Sequence, residues 1–221
     1  MENKYGLRNK MYYLNIIPKE VRGNLYEMLY VGITAYNRII KDDENLRKSP
    51  FFINIKSRLL TFSIYRQFEK DMLRKEFPLK VEIKKVNNFG YNSLTLSNKK
   101  SRISLAKTLN NMTLPNKSKY RIKECSNNYM FETQLKFDLD GYTYNIEPAQ
   151  TYMIIGFKIK SGELSHLNLM VPDTSMDSVI TNINLLDEYN NWITVTKDEP
   201  HVEKQIVAIK KEATKLISNE R

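Results

Sequence analysis

At Pro78 the spacing of apolar side chains changes, and that change sets what the chain on either side can become. Upstream, Ile55, Leu59, Leu60, Phe62, Ile64 and Phe68 recur at helical intervals. Ser49 as an N-cap and Pro50 at the first helical position predict where that helix starts, and Pro78 predicts where it stops. On a helical wheel Ile55, Leu59, Phe62 and Leu73 share one stripe, while Ile53, Leu60, Ile64 and Phe68 share the opposite one. A helix apolar on two sides is expected to be buried between two layers. Downstream of Pro78 the period is near two. Val81 and Ile83 alternate with Lys80, Glu82 and Lys84, which predicts a strand.

The remaining segments extend both patterns. Residues 11–17 read as a strand or a helical lead-in, and Pro18 opens a helix to about Lys41, with Val21, Leu25, Leu29, Tyr36 and Ile40 on one face. Tyr91–Ser97, Arg102–Lys107 and Lys119–Lys123 read as strands, separated by an Asn98-Lys99-Lys100 turn and a loop over 108–117. Phe131–Leu139 alternates strictly and returns through Asp140-Gly141 into Tyr142–Ile146, a hairpin pattern. Met153–Phe157 is an apolar run that turns at Ser161-Gly162 into Leu164–Val171. Pro172-Asp173 predicts a helix through Ile180, Ile193–Thr196 a further strand, and Pro200 onward an amphipathic C-terminal helix. The expectation is α+β: N-terminal helices, a central buried helix, a largely antiparallel sheet and a C-terminal amphipathic helix in a single domain over 1–221.

Charge is distributed as unevenly as periodicity. The chain carries a net +10, yet residues 51–123 alone hold 17 Lys and Arg against 4 Asp and Glu. Residues 1–124 form a basic half with 26 cations and 11 anions, and 125–221 an acidic half with 9 and 14. The 23 asparagines, with scarce Ala and Gly, match an A+T-rich genome. Codon bias acts evenly along a chain and does not produce such a split. A polyanion is therefore the expected partner: DNA, RNA or a nucleoprotein complex. The expected contacts are Lys84, Lys85, Lys99, Lys100, Arg102, Lys107, Lys117, Lys119, Arg121 and Lys123, with Phe89, Tyr91 and Tyr120 interleaved as stacking surfaces.

Catalytic and cofactor signatures are sparse. The seven glycines form neither a dinucleotide fingerprint nor a phosphate loop. His166 and His201 have no neighbouring Cys or His at ligand spacing, so no metal or cofactor is expected. Cys125 is a lone thiol, expected to be half-exposed and unreactive, and excludes an internal disulfide. No apolar run is long enough for a membrane span and the N-terminus lacks a signal-peptide core, so the expected location is cytoplasmic, away from membranes.

Glu82-Ile83-Lys84, following a predicted helix that bears Glu69, resembles part of the PD-(D/E)xK nuclease core. That resemblance implies Glu69 and Glu82 as ligands of Mg or Mn, and Lys84 assisting the attacking water. The family's Asp on an earlier strand has no counterpart; Asp71 is nearest. Three readings follow. The first is a non-catalytic nucleic-acid or nucleoprotein binder, of the kind a phage or mobile element of an A+T-rich host carries. The second is a protein-interaction or inhibitor module acting on host machinery. The third is a metal-dependent nuclease with a degenerate core of that type.

Overall fold

A computed structural model describes residues 10–73, 76–85, 92–128, 136–139, 142–145 and 150–195. The helices are α1 (Lys10–Ile16), α2 (Lys19–Asp42), α3 (Glu44–Lys48), α4 (Phe52–Tyr65), α5 (Lys119–Cys125) and α6 (Leu186–Val195). The strands are β1 (Lys80–Lys85), β2 (Asn92–Ser97), β3 (Ser101–Lys107), β4 (Lys136–Leu139), β5 (Tyr142–Asn145), β6 (Thr151–Lys160), β7 (Glu163–Pro172) and β8 (Val179–Asn184). The fold is α+β. Contacts divide it into two compact units. One holds α1, the strands, α5 and the loops between them. The other holds most of α2, α3, α4, the Ser161–Glu163 turn and α6 from Glu188 to Val195.

In the first unit six strands form one sheet in the order β1-β2-β3-β6-β7-β8, and β4 and β5 form a separate antiparallel pair. β1, β2 and β3 make an antiparallel meander, β6 joins β3 in parallel, and β8 pairs antiparallel with β7. Because successive side chains alternate across a strand, this register sorts residues onto two faces. One face carries Leu94, Leu96, Ile103, Leu105, Met153, Ile155 and Phe157, all buried. The other carries Glu82, Thr95, Arg102 and Ser104, then Ala106, Tyr152 and Ile154, which pack with Met170, Met176 and Cys125. The strands expected at Lys80–Val86, Tyr91–Ser97, Arg102–Lys107, Met153–Phe157 and Leu164–Val171 correspond to β1, β2, β3, β6 and β7, with Val86 and Tyr91 outside the described residues.

In the second unit α2 passes close to α4. A Cβ at Gly32 would lie 2.7 Å from the Ile64 Cα and 2.9 Å from the Ser63 carbonyl, so only glycine permits this approach. Asp43, between α2 and α3, caps the latter by accepting from the Leu46 amide at 2.9 Å. The Ser161-Gly162 turn has positive φ at both residues, and the Asn37 side chain donates to the Gly162 carbonyl at 2.7 Å.

Four expectations need correction. The helix opened near Ser49 ends at Tyr65 and is followed by one 3-10 turn, Arg66–Phe68, well short of Pro78. It buries Ile55 and Leu59 of one expected stripe and Leu60 and Ile64 of the other, with Ser63 between them, and leaves Ile53 71% exposed. Residues 119–123 are helical, because Ser118 caps α5 by accepting from the Arg121 amide. The stretch after Pro172 is a turn into β8. There the Asp173 carboxylate accepts from the Asp177 and Ser178 amides at 2.7 and 2.8 Å and folds the chain back on itself. Ile193 to Val195 close α6, which starts where Asn184 accepts from the Leu186 amide. Thr196 and the C-terminal helix expected from Pro200 lie outside the described residues, as does the expected Asn87–Gly90 turn.

Candidate functional site

α5 lies along β3 in a matched register. Residues four apart on a helix advance about 6 Å, and residues two apart on a strand advance about 6.6 Å. Tyr120 and Glu124 on α5 therefore meet Ser104 and Arg102 on β3, with the helix running opposite to the strand. Tyr120 and Ser104 share a hydrogen bond between their hydroxyls, and Ser104 is fully buried. Arg102 grips Glu124 with two parallel bonds, Nε to Oε2 at 2.6 Å and Nη2 to Oε1 at 3.0 Å. The fork geometry makes this pair directional as well as attractive.

Arg102 also reaches Glu82 of β1 at 3.6 Å. Glu82 stands on the same face of β1 as Lys80 and Lys84, and both ammonium groups approach it, at 3.0 and 2.9 Å. Lys84, then Lys80, hold its carboxyl down at about 2, against the opposing effect of burial. The acids of this corner thus point inward around Arg102, and the lysines stand at its perimeter. Lys119 and Lys123, one turn apart on α5, are exposed together with Ile122.

The predicted contact residues fall into three groups. Lys84 and Lys85 on β1, Lys99 and Lys100 on the β2–β3 turn, and Lys119 and Lys123 on α5 are exposed in the first unit. The turn is fixed by Asn98, whose side-chain Oδ1 accepts from the Lys100 and Ser101 amides at 2.8 and 2.7 Å. A second group is engaged internally. Arg102 is bound as above, and Lys117 pairs with Asp177. Arg121 donates to the Asn116 carbonyl at 2.7 Å and lies 6.0 Å from the Tyr120 ring centroid. Tyr120 is half-buried with its hydroxyl in use, and Lys107 is half-buried, its ammonium brought down to about 8 by desolvation. Phe89 and Tyr91 lie outside the described residues.

The carboxylates of the nuclease resemblance are placed as follows. Glu82 and Lys84 do share one face of a strand, but they pair with each other. Glu69 follows the 3-10 turn, pairs with Arg66 at 3.0 Å, and belongs to the other compact unit. Among the described residues no group of three or more His, Cys, Asp or Glu side chains is arranged to hold a metal ion. Three cations around Glu82 also compete with any divalent ion for that carboxylate. His166 is buried in β7 and hydrogen-bonds Thr108 at 2.6 Å. His201 is outside the described residues. Cys125 is fully buried, not half-exposed, and burial pushes its thiol up to about 12, which leaves it an inert part of the core.

Lys80, which completes the shell around Glu82, and Glu124, which anchors α5, were not among the expected site residues. For Glu124 the signal lay in Ser118 as a helix cap and in the four-residue interval from Tyr120. No described helix is long and apolar enough to cross a membrane. Comparison with family models, curated protein sequences and solved structures gives no match, so the function of this chain has to be argued from its own geometry.

Proposed function

We propose that this chain binds a polyanion, a nucleic-acid backbone or the surface of a nucleoprotein, through the cations of β1, the β2–β3 turn and α5. The observation that carries this reading is the segregation of charge within one corner of the fold. Glu82 and Glu124 are drawn inward onto Arg102, while Lys84, Lys85, Lys99, Lys100, Lys119 and Lys123 are exposed. Among the described residues Lys85, Lys99, Lys100, Lys119 and Lys123 have no ion-pair partner, which leaves them available for phosphate oxygens. Binding of this kind is driven by counterion release and reads the backbone more than the bases. Arg102 then acts as a strut that holds β1 and α5 in place, and Lys107 contributes little.

The test is fluorescence anisotropy on labelled duplex and single-stranded oligonucleotides across salt. On duplex DNA the logarithm of affinity is expected to fall with the logarithm of salt by about 0.9 for each phosphate contacted. Replacing Lys99, Lys100, Lys119 and Lys123 by Gln together should flatten that slope by about 3.6. Absence of binding at low salt, or a slope unchanged in the fourfold variant, rejects the reading.

A further inference from the structure

We propose that the loop from Thr108 to Asn116 is a docking element for a protein that offers an apolar pocket with an acidic rim. This site lies in the same compact unit as the cationic corner but does not depend on it. Leu109 and Met112 are 78% and 69% exposed, the two most exposed large apolar side chains of that unit among the described residues. A Leu and a Met that reach so far into water add nothing to the core.

The chain nevertheless fixes this loop from several directions. The Thr108 amide donates to the Phe157 carbonyl at 3.0 Å. Asn110 accepts from the amides of Met112 and Thr113 at 2.8 and 3.0 Å, closing a tight Asx turn under the two apolar side chains. From β6, the Lys158 ammonium donates to the Leu109 carbonyl at 2.8 Å. From β8, Asn182 donates to the Asn111 carbonyl at 2.6 Å and touches the Met112 sulfur at 3.5 Å. Exposed loops ordinarily leave such groups to water. Here they set the direction of Leu109 and Met112 in advance.

Pre-set geometry identifies the occupant. A fluid lipid surface gains little from fixed side-chain directions, whereas a shaped pocket gains affinity because the ordering penalty is already met. Two neighbouring apolar anchors on a held loop match the small, central clusters that dominate protein interfaces. The charged groups beside the anchors set the rim. The exposed Lys158 binds the loop itself, and Lys117, the residue that follows the loop, neutralises Asp177. The flank is cationic, so a complementary partner is acidic around its pocket.

The experiment uses the full chain labelled at its methionine methyls, with Met112 assigned by the Met112→Leu variant. Its resonance is followed on adding fractions of host protein treated with nuclease, phosphatidylserine vesicles, or a DNA duplex. The expected result is broadening by a protein fraction alone. The purified binder should then lose affinity roughly tenfold to a hundredfold for Leu109→Ser and for Met112→Ser. Asn110→Ala, which keeps both anchors and releases the turn, should lose roughly three- to tenfold. All three variants should keep the wild-type Tm and oligonucleotide affinity. A Met112 signal moved by vesicles or duplex instead, or by no fraction at all, overturns the proposal. Equal affinity of the purified binder for wild type and Leu109→Ser overturns it as well.

Discussion

Arg22 and Arg102 make the same bond in two different settings. Arg22 on α2 grips Glu188 of α6 with two bonds, at 2.8 and 2.9 Å, and the Tyr26 hydroxyl donates to the same carboxylate at 3.1 Å. Around that pair stand aromatic rings: Tyr26 meets Tyr189 and Trp192 edge to face at 5.7 and 6.4 Å, and Tyr30 meets Trp192 at 6.5 Å. Arg102 grips Glu124 in the same bidentate way, yet its other neighbours are Glu82 and, through it, Lys80 and Lys84. Rings need no counter-charge, so the first clamp closes on itself and acts as a packing element. Lysines at the perimeter do, so the second clamp collects carboxylates and leaves a cationic rim. The lesson is that a half-buried arginine pair has no functional meaning until its second neighbours are known.

The largest expected effect is at the aromatic clamp. Arg22→Met leaves the Glu188 carboxylate without its cation and should cost about 3 kcal/mol. For a chain of this size that lowers Tm by roughly 6–12 °C, measured by calorimetry, with oligonucleotide binding intact. A loss of binding as large as the loss of stability would erase the contrast between the clamps.

Arg102→Met should be milder for stability, about 2 kcal/mol, but it should also release α5. If Lys119 and Lys123 then leave their positions, the salt slope on duplex DNA falls by about 1.8. A slope that stays at its wild-type value would falsify the strut role.

Glu82→Gln sharpens the same point through pH. Its folded value, about 2, lies below the ordinary value of 4.5, so the wild type gains stability that is complete above pH 4.5 and lost as the pH falls toward 2. Lys80 and Lys84 are largely in solvent, so this gain is about 1 kcal/mol. Urea denaturation at pH 7 and pH 3 should show the variant losing less stability than wild type over that interval. Identical acid limbs would mean that the lysines do not act on Glu82 in solution.

Lys107→Met carries the smallest effect, about 0.5 kcal/mol in favour of the folded state near pH 7, because a desolvated ammonium is removed. Its folded value of about 8 lies below the ordinary 10.5, so wild-type stability rises with pH between those values as the unfolded chain holds the extra proton. The variant should lose that rise while its salt slope matches wild type. A weaker slope would return Lys107 to the interface.

Much of the sheet was legible because its alternating and apolar runs are closed by turn residues close at hand. Val81 and Ile83 alternate with Lys80, Glu82 and Lys84 just after Pro78, and Ser161-Gly162 separates two apolar runs that pair as neighbouring strands. Lys119–Lys123 defeated the same logic because Lys-Tyr-Arg-Ile-Lys fits a period of two as well as a helix. The deciding partners, Ser104 and Arg102, lie well back in the sequence. At Pro172-Asp173 a helix was expected, but a side chain that accepts backbone amides closes a turn as readily as it opens a helix. The basic segment was legible as a whole. Which of its cations are committed internally was not, since that depends on Glu124 and Asp177, which sit on other elements.

The parallel pairing of β3 with β6 bears on how this chain assembles in time. β1 to β3 close over short distances along the chain, as β6 to β8 do, and hairpins of that kind form in about 1–10 microseconds. Joining the halves requires the whole stretch from 108 to 150 to loop back, the slow kind of step in sheet folding. α5 sits inside that stretch, and its contacts to Ser104 and Arg102 span only 16 and 22 residues. Docked early, the helix shortens the segment still free to wander and brings Thr151 toward β3. Arg102 would then govern the rate at which the two half-sheets meet, quite apart from the stability of the finished molecule.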